Sequence, residues 1–136
     1  MQRKENDNWL TPLSIYEPLN KEFDFDFDPC PYNTGEILID GLKVEWGSRN
    51  FVNPPYSKEL KQAFILKAID EAKKGKICVL LIPVSTSTKL FHDHILPNAS
   101  EIRFVKGRIS FEKLDNNGRR IKQIGNPLDS MIVIFK

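Results

Sequence analysis

The 136-residue sequence predicts an α/β protein with a mixed, mostly parallel sheet, helices flanking it and a C-terminal antiparallel hairpin. Three observations carry that expectation. ICVLLIP, residues 77–83, is an unbroken apolar run bounded by Gly75 and Pro83, as in a strand buried on both faces of a parallel sheet. SKELKQAFILKAIDEAKKGK, residues 57–76, puts Leu60, Phe64, Ala68, Ile69 and Ala72 on one helical face, between an N-cap at Ser57 and a stop at Gly75. Strand and helix signals then alternate through the middle of the chain. The length suits one domain over residues 1–136, with residues 1–8 polar and expected to be loose.

Taken in order, WLTPLSIYEPLN at 9–20 predicts a short helix. Ser14 and Glu17 have capping-box spacing, Leu13, Ile15, Tyr16 and Leu19 supply the apolar face, and Pro18 shortens or kinks it. FDFDFDP at 23–29 alternates with period two, which predicts a strand with one apolar face ending at Pro29; Asp24 and Asp26 then face solvent. Residues 30–49 carry Pro31, Asn33, Gly35, Gly41 and Gly47 and predict loop, with room for a short strand at 37–39. Residues 50–53 form a strand end. STSTKLFHDHIL at 85–96 predicts a second short helix. EIRFV, GRISF and MIVIF, beginning at 101, 107 and 131, predict three more strands, and DNNG at 115–118 is a hairpin turn signal.

Composition narrows function only loosely. A net charge of +2 permits a polyanionic partner without requiring one. Lys106, Arg108, Lys113, Arg119, Arg120 and Lys122 crowd the last quarter, where they form either a solvated face or a track for phosphates. The two cysteines, Cys30 and Cys78, make no disulfide framework, and their spacing fits no zinc site. His92 and His94 flank Asp93, but positions i and i+2 do not share a helical face, so no metal site is expected. No apolar run approaches a membrane span, and MQRKENDNW lacks the apolar segment of a signal peptide. A reduced, cytoplasmic setting without a membrane partner is the expectation.

Chemistry concentrates in FVNPPYS at 51–57, between a predicted strand and a predicted helix. Asn53 offers an amide carbonyl, and Pro54 a backbone carbonyl whose direction is limited by the ring of Pro55. Two acceptors held together suit an NH2 group, which has two hydrogens to donate. Tyr56 offers a flat face for a planar ring. The set matches the exocyclic amine of an aromatic base, such as N6 of adenine. The lone pair of such an amine is delocalised into its ring; bonds accepted from both hydrogens favour a more tetrahedral, more nucleophilic nitrogen. That nitrogen can displace a methyl group from a sulfonium in line and lose its proton afterwards, so no strong base is needed.

NPPY resembles the catalytic motif of S-adenosylmethionine-dependent amino-methyltransferases. The wider series is more specific: WLTP at 9–12, FDFDPCP at 25–31, DGL at 40–42 with Trp46 and Gly47, FVNPPYS at 51–57, LLIP at 80–83 and GRISF at 107–111. In that order, over nearly the whole chain, it resembles the phage-type DNA N-6-adenine methyltransferase family. The resemblance implies a Rossmann-like, compact methyltransferase fold, S-adenosyl-L-methionine as cofactor, DNA as partner and a phage or prophage origin. It implies that Asn53, Pro54, Pro55 and Tyr56 hold and activate the adenine. It also implies that Thr11 and Pro12 contact the methionine end of the cofactor, and that Asp28 binds either its ribose or its methionine amine. Trp9 and Cys30 share that site, and Asp40 is a second polar contact near the cofactor adenine. Arg108 and Phe111 are candidate substrate contacts; Phe111 is either core or closes the adenine pocket opposite Tyr56.

One departure is plain: no G-x-G occurs anywhere, whereas most methyltransferases of this class carry a glycine-rich loop after the first strand. Either DPCP at 28–31 replaces it or the cofactor site is abbreviated. Other substrates with an NH2 on a planar group remain open: RNA adenine, cytosine N4 and a glutamine amide, with Asn53 disfavouring cytosine. A catalytically inactive, methyltransferase-like binding protein is the alternative from another class. At this length there is no separate target-recognition domain, so base-sequence preference falls to residues 30–49 and 112–126 or to a second subunit. The oligomeric state stays open, a homodimer included.

Overall fold

The computed structural model describes residues 9–32, 40–122 and 128–136. Its elements are α1 (Leu13–Phe23), β1 (Arg49–Val52), α2 (Lys58–Lys73), β2 (Ile77–Pro83), a π-helical turn (Leu90–Ile95) running into the short α3 (Leu96–Asn98), β3 (Glu101–Phe104), β4 (Glu112–Leu114), β5 (Arg120–Lys122) and β6 (Ser130–Phe135). Four strands form one sheet in the order β1-β2-β6-β3, and β4 and β5 form a separate ribbon. The expected strand at 37–39 and the expected loose lead-in at 1–8 lie outside the described residues.

β1 and β2 pair in parallel, with Arg49 opposite Ile77 and Val52 opposite Leu80. β6 runs antiparallel to both β2 and β3. Three strands therefore point one way and β6 points against them. The expectation of a mostly parallel sheet holds for strand direction but not for pairing: among the described residues β1 and β2 are the only two strands paired in parallel. After β5 the chain enters the sheet between β2 and β3 from their carboxyl ends, so β6 must oppose both.

The unbroken apolar run of β2 reflects its central place. Cys78, Leu80 and Ile82 face α2 together with Val52, Met131, Val133 and Phe135. Val79 and Leu81 face the other way with Phe51, Ile132 and Ile134, against Leu19 of α1 and the buried Ile109 and Phe111. Helices thus cover both faces, and a strand apolar on both sides is what that burial requires. α2 starts after Ser57 as expected, although the Ser57 side chain makes no capping bond, and Gly75 ends the following turn at φ 93°.

Four local expectations need correction. The capping box does not form: Pro12 is the N-cap of α1, and its carbonyl accepts the N–H of Ile15 and of Tyr16. Ser14 already lies inside the helix, which continues past Pro18 to Phe23. The Phe/Asp alternation is not a full strand, because Phe23 is helical and Asp24 closes the helix in the left-handed region at φ 53°. Beyond Asp24 the chain runs extended with a single parallel bridge, Phe27 to Asn50. The Asp26 carboxylate accepts the Arg49 N–H at 2.9 Å, and Phe25 and Phe27 pack on opposite faces of the sheet. GRISF is not a strand either: Ile109 and Phe111 are buried anchors, and the ladder begins only at Glu112. DNNG does turn the β4–β5 hairpin, with Asp115 Oδ1 accepting the N–H of Asn117 and of Arg119, both at 2.8 Å. That hairpin is not terminal, since β6 comes after it and joins the main sheet.

Candidate functional site

β1 delivers Asn53 to the carboxyl end of the sheet, where the next two prolines are also buried. Asn53 is 7% exposed. Its Nδ2 donates to Thr11 Oγ1 at 3.1 Å and to the Trp9 carbonyl at 3.4 Å. A backbone carbonyl can only accept, so the Trp9 contact fixes which end of the amide is nitrogen. Asn53 Oδ1 is then the other end of the amide, buried and without a hydrogen-bond partner. An acceptor left so costs about 1–3 kcal/mol and is uncommon in a folded chain.

Around it lies an aromatic triad. Trp9 stacks on Tyr56 at 5.8 Å between ring centroids, and Phe111 meets both rings edge-on, at 5.1 Å from Trp9 and 5.8 Å from Tyr56. Tyr56 Oη, Ser130 Oγ and Trp9 Nε1 are also buried without a partner. Burial pushes the Tyr56 phenol well above its usual range; the Ser130 hydroxyl nearby pulls the other way without reaching hydrogen-bond geometry. Tyr56 is therefore a neutral hydroxyl and no base.

A cleft of about 230 Å³ opens beside Asn53. Five of the expected site residues line it: Trp9, Thr11, Asp28, Cys30 and Asn53. Asp28 is exposed, and its Oδ1 accepts the Cys30 N–H at 2.8 Å in a tight turn. The buried Thr11 bridges the two halves of the site, since its hydroxyl holds Asn53 and its carbonyl is held by Arg120 at 3.1 Å.

Other expected residues lie elsewhere. Pro12 caps α1 next to the cleft without lining it. Asp40 sits in an exposed turn, where Oδ1 accepts the Leu42 N–H and Oδ2 lies 3.8 Å from Lys43 Nζ; it does not reach the cleft. Arg108 is exposed and paired with Asp129 at 3.4 Å. Phe111 is fully buried, so of its two readings it is core, supporting Tyr56 from beneath.

Sequence reasoning missed Tyr16, Tyr32 and the role of Arg120, all of which line the cleft. Burial, with the negative charge of Asp28 second, raises the Tyr16 phenol. Arg120 was visible only as one of six basic residues. Its place depends on the β4–β5 hairpin folding over the N-terminal segment, fastened by paired backbone bonds between Leu10 and Glu112 at 2.9 and 3.0 Å. A larger cleft of about 770 Å³, with Lys58, Lys61 and Lys89 at its walls, lies on the α2 face and contains none of the expected site residues. Among the described residues no helix is long and apolar enough to cross a membrane.

A family model described as DNA N-6-adenine-methyltransferase (Dam) matches the chain over residues 1–136. No curated protein and no solved structure matches it significantly.

Proposed function

The chain belongs to the DNA N-6-adenine-methyltransferase family, and from that premise we propose that it moves a methyl group from S-adenosylmethionine to N6 of adenine in DNA. The observation that carries the reading is Asn53 Oδ1, a buried amide acceptor with fixed direction and no partner. An adenine N6 amine supplies the missing donor. Asn53 Oδ1 takes one hydrogen and the Pro54 carbonyl the other, which draws the lone pair out of the ring and toward the methyl carbon.

The cleft fits the cofactor in kind. It joins an acid, Asp28, a guanidinium, Arg120, and aromatic walls from Trp9, Tyr16 and Phe51, a donor set suited to an amino-acid end and an apolar thioether chain. When bound, S-adenosylmethionine supplies the electrophilic methyl group on its sulfonium. Thr11 keeps Asn53 in register with that cleft, so donor and acceptor are held close, and such alignment supplies much of the rate. Trp9 occupies one face of Tyr56, so a base stacking on that ring takes the other. The nitrogen becomes positively charged as the carbon–nitrogen bond forms and the carbon–sulfur bond breaks; its proton then leaves to water.

A base inside a duplex must be extruded to reach Asn53. The reading takes the chain as an adenine-specific, phage- or prophage-encoded enzyme of the cytoplasm with a compact Rossmann-like fold. The common direction of β1, β2 and β3 supports that fold. Transfer of labelled methyl groups to DNA, followed by digestion to nucleosides, should give label in N6-methyladenine. Label in N4-methylcytosine, in RNA alone or nowhere would overturn the proposal.

A further inference from the structure

We infer that Arg120 binds the carboxylate of a ligand's α-amino-acid group, so that the cleft beside Asn53 selects adenosyl compounds that carry that group. The inference rests on the proposed use of S-adenosylmethionine and names the residue that reads the cofactor's far end. Arg120 lines the cleft, and its Nη1 is fixed twice, by Glu112 Oε1 at 2.8 Å and by the Thr11 carbonyl at 3.1 Å. Its Nε and Nη2 have no partner among the described residues. A guanidinium anchored on one nitrogen presents the Nε and Nη2 edge as a rigid fork, which matches a carboxylate bidentately. Its side chain is 33% exposed, open enough for a ligand yet shielded enough for the pair to count.

The same cleft carries Asp28. The Asp28 charge is felt within it, since it helps raise the Tyr16 phenol. A guanidinium and a carboxylate in one cleft of about 230 Å³ complement a zwitterion, whose ammonium goes to Asp28 and whose carboxylate goes to Arg120. Neither charge is complemented by a neutral thioether.

Calorimetry on the full chain with two ligands isolates this contact. S-adenosylhomocysteine carries the amino-acid end, and 5′-methylthioadenosine lacks it. Wild type should prefer the first. Arg120→Gln should weaken S-adenosylhomocysteine about ten- to a hundredfold and leave 5′-methylthioadenosine within about twofold, as expected for a lost charge-assisted bond. Arg120→Lys, which keeps the charge without the fork, should fall between. Equal weakening of both ligands by Arg120→Gln would mean that Arg120 only props Thr11, and the inference fails while the proposed function stands. A wild type that binds the two ligands equally also overturns the inference alone. A wild type that binds neither overturns the cofactor reading and the inference together.

Discussion

At the amino end of the β1–β2 pair, Glu71 is 1% exposed and fully paired; at the carboxyl end, Asn53 is nearly as buried and its acceptor is not paired. Glu71 takes bonds from Lys76 at 2.6 Å and Lys67 at 3.3 Å, and Lys76 also donates to the Trp46 carbonyl at 2.7 Å. Burial alone would raise the Glu71 carboxyl, but the bonds from Lys76 and Lys67 outweigh it and hold it at about 2. At the other end Asn53 Oδ1, Tyr56 Oη, Ser130 Oγ and Trp9 Nε1 all lack partners. Toward the first end the exception is Asn50 Oδ1, whose amide nitrogen is held by the Gly47 and Ile77 carbonyls. One end uses its polar groups to hold the fold, and the other leaves several of them unpaired.

Substitutions should separate the two ends. Asn53→Ala should lower turnover about 100- to 1,000-fold in a DNA methylation assay, the scale of a lost transition-state hydrogen bond in a buried site. Glu71→Ala should cost about 3 kcal/mol of stability in urea denaturation, because it removes the buried carboxylate that Lys67 and Lys76 share and leaves Lys76 only Glu45 and the Trp46 carbonyl. Acid sensitivity should track the same residue. Its folded carboxyl lies below the unfolded value of about 4.3, so its contribution is complete above that pH and fades as pH falls toward about 2. Glu71→Gln should flatten that part of the stability profile, and an unchanged slope would assign acid lability elsewhere. The smallest effects belong to the unpaired hydroxyls. Tyr56→Phe and Ser130→Ala should each shift stability by no more than about 0.5 kcal/mol, or raise it, since each removes a polar atom that bonds to nothing. A loss of about 2 kcal/mol from either would show that the carboxyl end is as fully paired as the amino end.

Where information was local, the sequence was enough. α2 and β2 come from apolar spacing and length, and the turn at 115–118 from the Asp115 carboxylate and the positive φ of Gly118. Asn53, Thr11, Trp9, Asp28 and Cys30, drawn from the short ordered motifs that carry the family resemblance, line one cleft. What failed depends on distant partners. Period two at 23–29 does not reveal that the Arg49 carbonyl accepts from both Asp26 and Phe27 while the Arg49 N–H goes to the Asp26 carboxylate. Nothing local sets the direction of β6 or brings Arg120 to Thr11. DGL at 40–42 has a packing role that its sequence does not announce. Trp46 Nε1 donates to the Gly41 carbonyl at 2.7 Å, and a Cβ at Gly41 would lie 1.9 Å from the Pro29 carbonyl oxygen. No local signal singles out Glu71: Lys67 is an ordinary i, i+4 neighbour on α2, and Lys76 meets it only after β2 has docked.

The central claim is that Asn53 Oδ1 is kept unpaired for the amine that is methylated. Its most direct test is the single-turnover rate of methyl transfer to DNA in Asn53→Ala, measured beside the affinity of the same variant for S-adenosylhomocysteine. The account predicts a rate lower by about 100-fold or more with affinity nearly intact. A rate equal to wild type, or a loss of affinity as large as the loss of rate, would contradict it.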